Sequence, residues 1–171
     1  MHRKNELLDE AFGRVLDHIE ARGWGDETDV LITTDHGEFQ GDLGLLFKGP
    51  YHVDALMRIP MIWRPARATG IAPAEVTEPV SQVDLARTFC EIADTPVPDW
   101  MQGQTLPTTA DEGRRTAIVE WDSQLDTGYA MRTLVADGWI CTAYEPTATD
   151  YGFPGSAAMP TSASRPRTCP T

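Results

Sequence analysis

The sequence predicts an α/β fold with a mostly parallel sheet flanked by helices, and residues 5–34 are the main reason. Residues 5–22 repeat apolar side chains at helical spacing and stop at Gly23, which predicts an amphipathic helix. After a short polar link, residues 29–34 carry an apolar β-branched run, typical of a strand buried on both faces. A helix, a short turn and an apolar strand form the second half of a βαβ unit, which builds parallel sheets.

The next part of the chain predicts one more strand and one more helix. Residues 59–63 form a second apolar run, and its proline lies near the start, where a missing N–H is tolerated. The prolines within 65–79 predict a surface connection. Ser81 and Asp84 then provide an N-capping pair for a helix that ends near Asp94.

The C-terminal part predicts a small antiparallel subdomain. Residues 116–121 have the composition of a strand, and two further apolar runs, 130–135 and 139–144, follow. Asp137-Gly138 separates these two runs and has the chemistry that a type I′ hairpin turn requires. Strands joined by so short a turn pair antiparallel.

Shifts in composition divide the chain into three parts. Residues 1–95 are assigned to the α/β core, and residues 96–145 to an irregular connection with the small antiparallel subdomain. Residues 146–171 consist largely of proline, serine, threonine and alanine and lack the apolar periodicity that a core requires. We therefore predict a disordered tail there.

The overall composition excludes several classes of protein. The net charge is −12 and the pI is about 4.6, and no basic stripe is present, so we expect no nucleic-acid partner. No apolar run approaches the ~18 residues of a membrane span, so we expect no membrane partner. The three cysteines lie far apart without metal or disulfide spacing, and the N-terminus is not a secretory signal. These features predict a cytoplasmic location.

A cluster of polar residues follows the first predicted strand, where open α/β sheets place their ligand sites. Asp35 and His36 supply a carboxylate and an imidazole, both common ligands of divalent metals. The glycines within residues 37–49 prevent a continuous helix, so we expect a loop that returns Lys48 to the metal. A dication and an ammonium group at one point would bind a tetrahedral oxyanion.

Each of these residues has a less specific interpretation as well. An aspartate after a strand often caps a turn, and Lys48 fits a solvated loop lysine. His52 fits a substrate contact or proton donor near Lys48, and equally a half-buried structural histidine. Arg58 is interpreted as the partner of a carboxylate in a structural ion pair.

Five segments resemble the sulfatase family, within the alkaline-phosphatase-like superfamily of sulfate and phosphate ester hydrolases. They are T-T-D-H-G-E at 33–38, G-D-x-G-L-L-x-K-G-P at 41–50, R-I-P-M-I-W-R at 58–64, S-Q-V-D-L-A-R-T at 81–88 and G-Q-T-L at 103–106. The resemblance spans roughly residues 5–145 in consistent order. It implies a partial sulfatase α/β fold with part of the family's small C-terminal antiparallel subdomain.

The resemblance also implies roles for single residues. Asp35 and His36 match metal-ligand positions for a divalent cation, calcium or manganese. Lys48 matches the catalytic and substrate-binding lysine that contacts the transferred sulfuryl oxygens and the leaving oxygen. The substrate-binding role predicted for His52 rests on its position near Lys48 and not on the resemblance. Leu43 departs from the pattern, because many relatives have histidine there. The implied substrate is a small sulfate ester.

The family's nucleophile has no counterpart in this sequence. Sulfatases attack with a hydrated formylglycine made from the cysteine of a C-x-P-x-R segment, and none of the three cysteines here lies in such a segment. The resemblance thus implies a sulfuric ester hydrolase represented by an inactive fragment, whose partner is the missing N-terminal half from an adjacent reading frame. The alternatives are a non-catalytic remnant and a fragment of a phosphonate or phosphate monoester hydrolase.

Overall fold

The structure is a computed structural model that describes residues 2–110, 113–122, 129–136 and 138–146. In chain order its elements are α1 (His2–Ala21), β1 (Val30–Thr33), β2 (Phe39–Gln40), β3 (Leu46–Phe47), α2 (Asp54–Met57), β4 (Met61–Arg64), α3 (Val83–Ile92), β5 (Thr116–Trp121), β6 (Tyr129–Ala136) and β7 (Trp139–Pro146). Both long helices and all five longer strands occur where the sequence predicts them. The mixed α/β character is confirmed.

The pairing of β1 with β4 differs from the predicted parallel arrangement. The two strands pair antiparallel, with Val30 opposite Arg64 and Thr33 opposite Met61. Every strand pair among the described residues is antiparallel, so these residues do not show the mostly parallel sheet. The reason lies in the connection, because a parallel pair requires a crossover, usually a helix of several turns, whereas α2 is a single turn.

The C-terminal sheet is confirmed as antiparallel. Its strand order is β5-β6-β7, and Ala136 pairs with Trp139 next to the turn. Gly138 has a φ of 74°, which the predicted turn requires and which glycine adopts without strain. The sheet is the largest of the three in the described residues.

A buried carboxylate joins α3 to the segment that follows it. Asp84 is 1 % exposed and accepts hydrogen bonds at 2.8 Å from the backbone N–H groups of Ser81 and Gln104. The guanidinium of Arg114 also pairs with it. The bond from Ser81 is one half of the predicted capping pair, and the helix begins at Val83. Asp84 therefore acts as a structural bridge.

Three further predictions concern the C-terminal tail, the cysteines and membrane spanning. The predicted tail, 146–171, lies outside the described residues except for Pro146, where β7 ends. Cys90 is a free thiol and Cys141 is disulfide-bonded, so the expectation that the cysteines form no disulfide is wrong. Among the described residues, no helix has the length and hydropathy needed to cross a membrane.

Candidate active site

The loop after β1 is held from two sides. The Gln82 side-chain amide donates to the carbonyl oxygens of Thr34 at 2.7 Å and Asp35 at 3.2 Å. On the other side, the backbone N–H of Gly37 donates to the Leu56 carbonyl at 2.8 Å. These bonds attach the loop to the start of α3 and to α2.

Gly37 allows the close approach between this loop and α2. A Cβ atom at this position would lie 2.0 Å from the carbonyl oxygen of Ala55, far inside any contact distance. That oxygen belongs to the backbone and cannot rotate away, so only glycine fits. The G of the T-T-D-H-G-E segment is thus required by packing.

His36 has a defined tautomer. Its Nδ1 lies 2.8 Å from the carbonyl oxygen of Gly37, and because a carbonyl only accepts, Nδ1 carries the proton. Nε2 therefore presents its lone pair, which accepts a hydrogen bond from Lys48 Nζ at 3.1 Å. The same Nε2 lies 3.4 Å from Asp35 Oδ2. A backbone carbonyl on the far nitrogen is the usual partner of a metal-ligating histidine.

Lys48 reaches His36 because the intervening segment folds back on itself. β2 and β3 pair antiparallel, with Phe39 opposite Phe47 and Gln40 opposite Leu46. The turn between them uses Gly41 and Gly44 at φ of 108° and 73°. The structure thus places Asp35, His36 and Lys48 together, as the sequence predicts, while the chemical role of each remains a prediction.

The pKa of Asp35 lies below its usual value. Desolvation is the largest single influence and acts to raise this pKa, but several others together outweigh it. They are chiefly hydrogen bonds from the His36 backbone N–H and the Thr34 hydroxyl. The carboxylate is therefore ionised at neutral pH and able to bind a cation.

The donor atoms are of the types that a divalent metal binds, but they do not complete a coordination shell. Asp35 supplies a carboxylate oxygen and His36 an imidazole nitrogen whose lone pair here accepts from Lys48, and these donor types suit calcium or manganese in part. No group of three or more His, Cys, Asp or Glu able to hold a metal occurs among the residues that the structure describes. Two protein ligands would leave the remaining positions to water or to other chains.

His52 lines the same cavity as Asp35, His36 and Lys48 and contacts the C-terminal sheet. Its Nδ1 is 2.6 Å from the hydroxyl of Thr133 on β6. Partial burial lowers the pKa of His52, so the imidazole is neutral at pH 7. The cavity measures about 1360 Å³ and is lined by Asp35, His36, Lys48, His52 and Gln82, with β5 and the β6–β7 hairpin on one side.

Three further contacts complete the comparison with the sequence. The predicted structural ion pair of Arg58 is confirmed, because its Nε donates to Asp54 Oδ1 at 3.1 Å. Gln82 was missed, although it belongs to the S-Q-V-D segment and its position at a helix start was a usable signal. Thr133 was also missed, and no local signal exists for a contact that spans 81 residues.

Comparison with known proteins identifies the family. The Sulfatase family model matches residues 3–95, more than half of the chain. The chain is 34% identical over 104 residues to the uncharacterized sulfatase YidJ of Escherichia coli, covering 60% of this chain and 20% of that protein. It is 27% identical over 134 residues to the choline-sulfatase of Rhizobium meliloti, covering 77% of this chain and 25% of the relative. The chain belongs to the sulfatase family.

A third relative comes from the wider superfamily. The multifunctional alkaline phosphatase superfamily protein PehA of Trinickia caryophylli is 28% identical over 131 residues. The match covers 76% of this chain and 24% of PehA. The chain thus spans about a quarter or less of the length of these curated relatives.

Proposed function

We propose that this chain supplies the metal-binding and oxyanion-binding part of a sulfuric ester hydrolase active site. The observation that supports this most directly is the contact of Lys48 Nζ with His36 Nε2 at 3.1 Å, beside the Asp35 carboxylate. An ammonium group and two metal-type donors meet there at the wall of a cavity. This arrangement suits a tetrahedral oxyanion held between positive charges.

Each side chain has a distinct role in this proposal. Asp35 and His36 would hold a divalent cation, calcium or manganese, which when bound polarises the ester oxygen. Lys48 binds the oxygens of the sulfate group and stabilises the negative charge on the departing oxygen. His52 contacts the ester from its own position in the cavity wall. The proposed substrate is a small sulfate ester.

The attacking group would come from a segment outside these 171 residues. The sequence contains no C-x-P-x-R segment, so it encodes no formylglycine precursor. We therefore propose that these 171 residues alone are inactive and that they act together with a segment carrying this motif. Stabilising an oxyanion without a positioned nucleophile leaves only slow attack by water.

Turnover of an aryl sulfate tests whether the nucleophile comes from a different segment. With calcium and manganese present, the purified chain should show no hydrolysis above buffer, and co-expression with the C-x-P-x-R segment should restore it. In the restored enzyme, Lys48→Ala should reduce kcat by about 100-fold or more. Lys4→Ala on α1 is the matched control, since Lys4 is the other lysine of the chain and is exposed. Turnover by the chain alone that Lys48→Ala abolishes would contradict the proposal.

Metal affinity gives a test that does not depend on activity. Two protein ligands should bind calcium or manganese only weakly, with a Kd on the order of millimolar. Calorimetry should detect this weak binding, and Asp35→Asn should weaken it further, whereas Asp9→Asn on α1 should leave it unchanged. Binding in the micromolar range would show that the shell has donors beyond Asp35 and His36.

The alternative substrate is a phosphate or phosphonate monoester, and the match to PehA supports this alternative. Asp35, His36 and Lys48 would serve either oxyanion, because both are tetrahedral and negatively charged. The restored enzyme should be assayed with aryl sulfate, aryl phosphate and aryl phosphonate in parallel. A kcat/KM that is highest for the sulfate supports the sulfatase assignment, and a higher value for either of the others overturns it.

A further inference from the structure

The C-terminal sheet contacts the candidate active site through one buried hydroxyl. Thr133 on β6 is 1 % exposed, and its Oγ1 lies 2.6 Å from His52 Nδ1. A buried hydroxyl needs hydrogen-bond partners, since an unsatisfied one costs about 1–3 kcal/mol. His52 is on the chain segment that follows Lys48 and lines the same cavity. The contact therefore links a strand of the subdomain to a side chain of the site.

A second hydroxyl extends this contact across the sheet. Thr142 on β7 is the cross-strand partner of Thr133, and their Oγ1 atoms are 2.8 Å apart. Each hydroxyl has one proton to donate and two lone pairs. If Thr142 donates to Thr133 and Thr133 donates to His52, both protons have acceptors. In the reverse direction, the half-buried Thr142 hydroxyl has no protein acceptor among the residues that the structure describes, and its proton would have to go to water.

The direction of this chain determines the tautomer of His52. When Thr133 donates to Nδ1, that nitrogen is the acceptor and the ring proton lies on Nε2. Nε2 has no hydrogen-bond partner among the described residues, and burial lowers the pKa of His52, which keeps the imidazole neutral. The ring is then a neutral N–H donor at the cavity wall.

We propose that Thr133 and Thr142 are positioning residues that hold His52 as its Nε2–H tautomer, so that the C-terminal sheet supplies an uncharged hydrogen-bond donor for an ester oxygen in the cavity. The ligand class, a sulfate or phosphate ester, rests on the proposed function. Lys48 attracts the negatively charged sulfate or phosphate group, and His52 orients this group, because a neutral imidazole donates along one N–H bond only.

Long-range 15N–1H NMR of the full chain, recorded well below its unfolding midpoint, tests the tautomer directly. The His52 signals are assigned by their loss in His52→Gln. We expect the Nε2–H pattern in the wild type and in Thr133→Ser, which keeps the hydroxyl. In Thr133→Val, which has the same shape without it, the Nδ1–H form should rise toward its share in a free imidazole, where Nε2–H still predominates.

Several results would overturn the inference. A wild-type spectrum with the Nδ1–H pattern would contradict the assigned direction, and an unchanged pattern in a folded Thr133→Val would remove the positioning role. If Thr133→Val does not fold, Thr142→Val takes its place, because losing the Thr142 donor lets Thr133 accept from Nδ1. An unchanged His52 pattern in that variant would likewise overturn the proposal.

Titration with inorganic sulfate separates this inference from the proposed function. Saturable shifts of the His52 Nε2–H signals, reduced in Lys48→Ala, support both. If the tautomer is as expected but sulfate causes no shift, the positioning of His52 by the sheet stands and the oxyanion role of the cavity falls. A sulfate-dependent shift that is equal in Thr133→Val and Thr133→Ser would show that the hydroxyl does not orient the ring for the ligand.

Discussion

At the scale of single residues, the site depends on one glycine as well as on its polar side chains. Gly37 has no Cβ atom, and this allows the Asp35-His36 loop to lie against the backbone of α2. His36 is oriented through the Gly37 carbonyl, so any shift of this loop moves the nitrogen that faces Lys48. The positions of the metal-type donors and the packing of the loop are therefore coupled.

Gly37→Ala should destabilise the protein. The new Cβ would meet Ala55 O at 2.0 Å, so the loop or α2 must move, and we expect a loss of about 1–3 kcal/mol. Denaturant unfolding measures this loss. Gly13→Ala is the matched control, because nothing lies within 4 Å of a Cβ there. Alanine within α1 should raise the free energy of unfolding by about 1 kcal/mol. Equal effects of the two changes would contradict the packing argument.

Because of His52, the stability of the protein should decrease as the pH falls below about 6.5. Burial lowers its pKa below 6.5 in the folded chain, so the unfolded chain binds the proton more readily. This stability is fully present above pH 6.5 and is lost as the pH falls through the folded pKa. Thermal melts from about pH 8 to about pH 5 should show a falling Tm.

Two variants separate His52 from the rest of the chain in this measurement. His52→Gln should flatten the dependence of Tm on pH, and the same substitution at the exposed His18 of α1 is the matched control. The lowered pKa of Asp35 does not interfere, because stability from that carboxylate is lost only below pH 3.8. A slope that persists in His52→Gln would assign the effect to another group.

At the scale of elements, the family segments at 81–88 and 103–106 form a structural unit around α3. Asp84 joins the backbone of Ser81 to that of Gln104, and Thr88 continues the connection. The Thr88 hydroxyl accepts from the Leu106 N–H at 2.9 Å and donates to the Asp84 carbonyl at 2.8 Å. These segments therefore connect α3 to the chain around it, while Gln82, between Ser81 and α3, holds the loop after β1.

Asp84→Asn should be strongly destabilising. It removes the charge that pairs with Arg114 while Asp84 is almost fully buried, and breaking such a pair costs about 3–5 kcal/mol. Asp54→Asn is the matched control, because its pair with Arg58 is exposed and should contribute less than about 0.5 kcal/mol. Urea unfolding of both variants measures the difference. Similar losses would mean that burial does not decide the strength of these pairs.

At the scale of the whole molecule, much apolar surface stays exposed. Four large apolar side chains of α1 are 40–61% exposed: Leu7, Leu8, Phe12 and Val15. β1 pairs with β4 alone among the described strands, so one of its edges lies without a strand partner there. Leaving ~400 Å² of apolar surface uncovered forfeits about 10 kcal/mol, comparable to the stability of a whole domain.

The isolated 171-residue chain should therefore be marginally stable and should self-associate. We expect a melting midpoint below about 55 °C, an ordinary mesophile value, and a molecular mass that rises with concentration. Scanning calorimetry and light-scattering chromatography measure the two properties. A monomer that unfolds cooperatively above about 55 °C would show that the exposed faces are covered in solution.

The sequence by itself determined the main helices and strands and the family. Helix and strand periodicities located α1, β1, β4, α3 and the β6–β7 hairpin, because these patterns depend on spacings of two to four residues. The T-T-D-H-G-E segment and the later lysine indicated the family and the residues that form the site. The short β2–β3 hairpin and the single turn of α2 were missed, since so few residues carry no periodicity.

Only the tertiary structure decided which distant residues meet. It paired β1 with β4 antiparallel, made Asp84 a buried bridge, and placed Thr133 against His52 across 81 positions of the chain. Such contacts depend on how elements pack, and no short window of sequence encodes that. Local spacing thus identified Asp35, His36 and Lys48 as partners, while long-range packing decided which side chains of the C-terminal sheet reach their cavity.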